Sequence, residues 1–339
     1  MTWDRVGRRV LVIALGGTIA STHDANDAGG VVPRLDAADL IAAVPGLEAV
    51  ASVEAVSFRQ VPSDDLTFDD IVALAGRIDE ALADGIHGIV VTQGTDSIEE
   101  TSFILDLLVD SACPVVVTGA MRNPTIAGAD GPANLLASVR VAASSSARGL
   151  GTLVVFNDEL HAARFVRKMN TSSPATFQSP GAGALGWVVE DRVRVGARVA
   201  RLAALPRLRA AVAPIALIRL ALGDDGRLLE SLVDLGFAGA VIEGFGGGHA
   251  PRVMVSRLEA LAGAMPVVLA SRTGSGEVLR HTYGYAGSER DLLARGLVPA
   301  GPLDGLKARV LLSLLIASGE GDVGRRFADV VASMTPDGA

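Results

Sequence analysis

Two strands of this chain end in glycine followed by threonine: VLVIALGGTIA carries Gly16, Gly17 and Thr18, and GIVVTQGTDS carries Gly94, Thr95 and Asp96. A threonine hydroxyl is a weak nucleophile until a neighbouring group takes its proton, and Asp or Lys can help with that. Composition narrows the choice. Of the 30 Lys and Arg residues only Lys168 and Lys307 are lysines. Arginine stays protonated in proteins, whereas a partly buried lysine can act as a base. Lys168, near Arg164 and Arg167, is therefore a candidate base, against the plain alternative that two lysines survive by chance in an arginine-rich chain. Gly17 and Gly94 allow sharp turns and a close approach of ligand to main-chain N–H groups, the donors an oxyanion needs. Non-catalytic readings stand beside these. Ser97 and Glu100 have capping-box spacing, Asp96 suits a helix N-terminus for electrostatic reasons alone, and Thr18 can cap or pack in a turn.

The elements that would position these residues follow from the hydrophobic pattern. Short β-branched runs near 10–15, 53–58, 87–92, 114–118 and 151–156 alternate with helical patterns over 36–43, 69–83, 97–109 and 132–146, the last opened by Gly131-Pro132. This predicts an α/β fold whose larger N-terminal domain, 1–200, is a doubly wound, mostly parallel sheet. Ligands bind outside the carboxyl ends of such strands, where Thr18 and Thr95 both fall. Residues 160–198 read as hairpins and excursions, and 201–214, with two prolines, as a linker. A smaller α/β domain, 215–339, is expected to hold strands near 215–220, 239–243 and 266–270, and helices near 227–235, 251–263, 289–295 and 304–318. The polar, glycine-rich stretch 21–36 is long for a βα loop and reads as a lid or an untidy surface loop.

Other classes are disfavoured. A net charge of −8 argues against nucleic acid or anionic membrane as partner, and no stretch approaches the roughly 18 apolar residues of a membrane span. The lone Cys113 cannot form an internal disulfide and reads as a small buried hydrophobe. No phosphate-binding loop, HExxH or paired cysteine is present, and the five histidines lack ligand spacing, so no cofactor or metal is expected. GFGGGH at 244–249 reads as a strand-end loop. Arg5, Arg8 and Arg9 before VLVIAL imitate a secretion signal, but the run flows into the Gly-Gly-Thr element, and a cytoplasmic protein is expected.

The residues resemble the bacterial-type L-asparaginases, a two-domain family with threonine nucleophiles. LGGTIA at 15–20 and VTQGTDSIEET at 91–101 carry the resemblance, with PVVVTGAMR at 114–122, ADGPANL at 129–135, RKMNT around Lys168 and LKARV at 306–310 in the expected order. The resemblance implies hydrolysis of L-asparagine to L-aspartate and ammonia through an acyl-enzyme on Thr18, with Thr95, Asp96 and Lys168 as a second triad. It also implies that Ser63 and Asp64 of VPSDDL, with Asp96, grip the substrate's α-amine and α-carboxylate. Sites of the family form between subunits of a homo-oligomer, so a homotetramer or homodimer is expected.

Departures accompany the likeness. The family often has a tyrosine in the lid, yet 21–33 has none, and the only tyrosines are Tyr283 and Tyr285. Tyr283 is the expected replacement, supplied by a neighbouring subunit. His249 stands where the family often has asparagine, and Glu289 is the expected acidic residue from the partner. Alternatives are a glutaminase-asparaginase, an amidase for a related amide, and, in another class, a non-catalytic amino-acid-binding protein. A nucleotide-binding enzyme is disfavoured by the missing phosphate motifs.

Overall fold

Val10, Val12 and Ala14 share one hydrophobic cluster with Val90, Val116, Leu153 and Val155, the seven being drawn from four different apolar runs. Residues two apart on a strand face the same side, so these runs lie side by side in a sheet with one face covered by that cluster. The computed structural model describes residues 7–23, 31–319 and 321–334. The chain divides into two compact units, Met1–Ala204 and Leu205–Ala339.

In the first unit the parallel strands are β1 (Arg9–Ala14), β4 (Ser52–Ser57), β5 (Gly88–Thr92), β6 (Val115–Thr118) and β7 (Thr152–Phe156), with a small antiparallel ribbon, β2 (Ser21–His23) and β3 (Val31–Pro33), after β1. β5, β6 and β7 are buried throughout, as expected of a parallel sheet covered on both faces. The helices are α1 (Ala37–Ala42), α2 (Phe68–Ala83), α3 (Ile98–Leu108) and α4 (Gly131–Ala142). Asp36 and Thr67 open α1 and α2 through capping boxes with Asp39 and Asp70. The sheet continues through β8 (Glu159–Ala162), β11 (Gly186–Val189) and β12 (Arg192–Val195), giving the order β12-β11-β8-β7-β6-β5-β1-β4.

The chain steps from β1 to β4 on one side and then returns to β5 on the other. That reversal makes the carboxyl ends of β1 and β5 the switch point, the place where doubly wound sheets bind ligands. The antiparallel extension starts at Asn157 and Asp158, which have φ of 50° and 62° and join the paired residues Phe156 and Glu159. Two consecutive positive φ values make the tight hairpin loop whose twist suits antiparallel strands. Glu190 and Asp191 form the two-residue connection between Val189 and Arg192 of the next hairpin.

The second unit has a parallel sheet in the order β13 (Ile215–Arg219), β14 (Gly239–Gly244), β15 (Val267–Ser271), β16 (Val298–Pro299). Its helices are α5 (Val255–Ala264), α6 (Glu289–Ala294), α7 (Gly305–Ser318) and α8 (Val323–Met334). Asp304 caps α7 by accepting the Lys307 N–H, and the Lys307 side chain is fully buried with its amine 3.2 Å from the same carboxyl group. Residues 201–214 contain no helix or strand.

Three expectations need correction. The helix expected over 227–235 is a short 3-10 turn, Arg227–Ser231, in a segment bounded by Gly226 and Gly236, both in left-handed conformations that no α-helix continues through. α8 was not expected, although Phe327, Val331 and Met334 are buried at helical spacing. Cys113 is half-buried rather than buried, and its sulfur accepts a hydrogen bond from Arg148 at 3.4 Å. Among the described residues no helix is long and apolar enough to cross a membrane.

The helix α4 packs so tightly that a Cβ on Gly88, at the start of β5, would lie 2.1 Å from the Ala142 carbonyl oxygen. Gly88→Ala is therefore expected to destabilise by about 1–3 kcal/mol, as overpacking does, read as a lower urea midpoint at unchanged m-value.

Candidate active site

Glycine geometry builds the centre of the site. Beyond β1 the Leu15 N–H donates to the Thr92 carbonyl, and Gly16 and Gly17 turn with φ of 102° and 81°. A Cβ at Gly17 would stand 2.0 Å from the Gly94 nitrogen, and one at Gly94 would stand 2.6 Å from Ser63 Oγ. The two strand-end loops therefore meet backbone to backbone. Thr18 is half-buried at the start of a 3-10 turn, Thr18–Ala20, and the Ser21 hydroxyl donates to the Gly17 carbonyl at 2.9 Å. Residues 24–30, the tip of the expected lid, lie outside the described residues.

Thr95 and Asp96 form the 3-10 turn that opens α3. Thr95 is 5% exposed, and Gly119, in the loop after β6, packs against it. That loop is fastened by Asp130, which accepts the N–H groups of Met121 and Arg122, and by Asn134, which donates to the Gly119 carbonyl. Ser63 is buried, its Oγ accepts the Asp96 N–H at 3.2 Å and its carbonyl accepts the Ser97 hydroxyl at 2.8 Å. Ser97 thus makes no side-chain cap, contrary to its capping-box spacing. Asp64 is exposed beside Ser63. Sequence reasoning passed over Gln93, which is fully buried and donates to the Gly94 carbonyl and to Ser97 Oγ, each at 3.2 Å. An amide side chain closing an otherwise apolar strand was the available signal.

Lys168 arrives from far along the chain. It sits on β9 (Arg167–Lys168), paired antiparallel with β10 (Phe177–Gln178) so that Lys168 stands opposite Phe177. Phe177 packs on Phe156 with ring centroids 4.9 Å apart, which anchors the ribbon to the end of β7. The Lys168 amine donates to Thr95 Oγ1 at 2.8 Å and to Asp96 Oδ1 at 2.6 Å. The lysine side chain is 15% exposed and the aspartate side chain 70%. One amine so placed can pass a proton to or from the threonine while the carboxylate holds it in position.

The remaining expected residues gather in the second unit. His249 ends the loop after β14, where it pairs with Phe245. Its Nδ1 lies 2.9 Å from the Tyr285 hydroxyl and its Nε2 3.3 Å from Glu289 Oε2. Tyr283 meets the His249 ring edge to face at 4.9 Å, so of the two tyrosines it is Tyr285 whose hydroxyl bonds to the histidine. Glu289 is wholly buried, and its Oε1 accepts the N–H groups of Thr282 and Tyr283. Burial opposes its ionisation, but the backbone N–H groups of Tyr283, Glu289 and Thr282 together with His249 outweigh that and hold the carboxyl below its ordinary value.

Residues 9–201 match the family model described as asparaginase, N-terminal, and residues 214–325 the glutaminase/asparaginase C-terminal domain. The chain belongs to the asparaginase family. It is 34% identical to an L-asparaginase of Bacillus licheniformis over 92% of this chain and 97% of that one, and 33% identical to L-asparaginase 2 of Escherichia coli over 91% and 88%. Among solved structures, a probable cytoplasmic L-asparaginase from Campylobacter jejuni superposes with a TM-score of 0.85 at 29% identity, covering 96% of this chain and 99% of that one.

Glu289 supplies a pH test. Its folded pKa lies below its unfolded one, so its stabilisation is present above the ordinary value of 4.5 and is lost as the pH falls through the lower folded value. Glu289→Gln is expected to lower Tm at neutral pH, with the gap to wild type closing as the pH falls below that ordinary value.

Proposed function

We propose that this chain is an L-asparaginase that hydrolyses the side-chain amide of L-asparagine, with Thr18 as the nucleophile. The observation that supports the chemistry best is the Lys168 amine bonded to both Thr95 Oγ1 and Asp96 Oδ1 in a largely buried position. Thr18 Oγ1 attacks the amide carbon as its proton passes through Thr95 to the unprotonated Lys168 amine, and the tetrahedral oxyanion is held by main-chain N–H groups of the glycine loops. The intermediate collapses when Thr95 donates a proton to the departing nitrogen and is reprotonated through Lys168. Ammonia leaves, and water, deprotonated through the same pair, attacks the acyl-enzyme; the pair returns that proton to Thr18 Oγ1 as the ester bond breaks and aspartate is released.

Ser63, Asp64 and Asp96 are proposed to bind the substrate's charged α-groups, which ask for a carboxylate opposite the ammonium. Tyr283, His249 and Glu289 are proposed to be contributed by a neighbouring copy in a homotetramer or homodimer, with Tyr283 replacing the absent lid tyrosine. The proposed setting is the cytoplasm, and the reaction as written needs no cofactor or metal. Among the described residues no group of three His, Cys, Asp or Glu could hold a metal ion.

Glutamine is one methylene longer, a difference worth only about 1–3 kcal/mol, so a second amide substrate is compatible with this site. A non-catalytic amino-acid-binding protein would use Ser63, Asp64 and Asp96 but would have no need of Lys168 on Thr95.

The test is ammonia release from L-asparagine, L-glutamine and D-asparagine. Thr18→Ala and Lys168→Met are each expected to lower kcat for L-asparagine by about 1,000-fold or more, as losses within a catalytic unit do. Wild-type rates in Thr18→Ala would remove the nucleophile assignment. Tyr283→Phe with unchanged turnover would remove that residue from the mechanism.

A further inference from the structure

The helix that carries Thr95 and Asp96 at its start also carries a buried charge near its other end. Asp106 lies ten residues beyond Asp96, about 15 Å along the axis at 1.5 Å per residue. It is 4% exposed, and its Oδ1 accepts the Thr152 N–H at 2.7 Å. A Cβ at Gly151 would come within 2.2 Å of that oxygen, so the backbone closes over the carboxylate. Arg164, 2% exposed, places Nε 3.9 Å from Asp106 Oδ2 and donates from Nη2 to the Ala200 carbonyl at 2.7 Å. Burial pushes the Asp106 carboxyl up and the Arg164 guanidinium down, each partly restored by the other's charge.

A buried ion pair is a poor source of stability, since well-packed apolar residues of similar volume often do as well or better. At 3.9 Å the Arg164 Nε makes no hydrogen bond to the carboxylate, so the guanidinium is held by its Nη2 bond to the Ala200 carbonyl with the buried Asp106 charge opposite it. Arg164 precedes Lys168 by four residues, and four residues span at most about 14 Å. Residues 163–165 form a turn, so the real span is shorter still. A segment fixed to the far part of α3 at Arg164 therefore has little slack when Lys168 reaches the near end.

We propose that Arg164 is a positioning residue: bonded to the Ala200 carbonyl and facing the buried Asp106 charge, it sets where the strap bearing Lys168 lies along α3, and so holds the amine on Thr95 and Asp96. This rests on the reading of Lys168 as the proton carrier for Thr95.

A double-mutant cycle with Lys168→Ala tests it, using Asp106→Leu/Arg164→Met, which removes both buried charges together. Arg164→Lys, which keeps the charge, is the second variant should the first fail to fold. In the wild-type background either is expected to lower kcat for L-asparagine about tenfold or more per folded molecule, with KM within about twofold, as a misplaced catalytic group does. In the Lys168→Ala background the same change is expected to cost nothing further. A wild-type kcat in the folded variant, or an equal loss in both backgrounds, overturns the brace. Wild-type kcat in Lys168→Ala alone overturns the underlying reading of the site instead.

Discussion

The absence of room for a side chain between the ends of β1 and β5 is the constraint on which the rest of the first unit depends. Gly17 lies against the Gly94 amide, Gly94 against Ser63, Gly16 against the Val61 carbonyl and Gly119 against that of Gln93. Three of these close approaches pack main chain on main chain and the fourth sets Gly94 on the Ser63 side chain, with Thr18 and Thr95 each one residue beyond a contact. Because peptide groups are stiff and directional, such packing fixes N–H donors and hydroxyls more tightly than an apolar core would. The asparaginase chemistry proposed here draws on that rigidity, since donors already aimed need not reorganise as charge develops.

Much of this was legible in the sequence because the physics is local. Strands buried on both faces are continuous apolar runs, and strand-end glycines announce the turns that follow them. Lys168 stood out by scarcity, yet its contact with Thr95 was not visible in any window of the sequence, since 73 positions separate them. The ribbon that closes that distance depends on Phe177 finding Phe156, a contact no periodicity reports. Ser97 shows the opposite failure. A local capping pattern was present, but the buried Ser63 carbonyl offered its hydroxyl a stronger claim, because a buried acceptor left unmade costs more than an unmade cap at a helix end.

Orientation within loops was the other illegible quantity. Tyr283 and Tyr285 are two residues apart with nothing in composition to separate them. What separates them is Glu289, whose carboxylate binds the N–H groups of Thr282 and Tyr283 and so fixes the backbone from which both rings project. Likewise the left-handed pair Asn157 and Asp158 decides that the sheet turns antiparallel after β7. A hairpin there was expected only in outline, because the signal lies in backbone angles that two polar residues permit without requiring.

The two lysines have a practical bearing beyond catalysis. Lys307 is fully buried and Lys168 is 15% exposed against Thr95 and Asp96, while every other cationic side chain among the 30 Lys and Arg residues is a guanidinium. An amine-selective label, cross-linker or immobilisation surface therefore meets a protein whose only partly accessible side-chain amine is the one engaged with Thr95. Covalent attachment through a lysine side chain would fall on the amine bonded to Thr95 and Asp96, and attachment that spares that contact would be directed at the more acidic α-amino group or at another functional group.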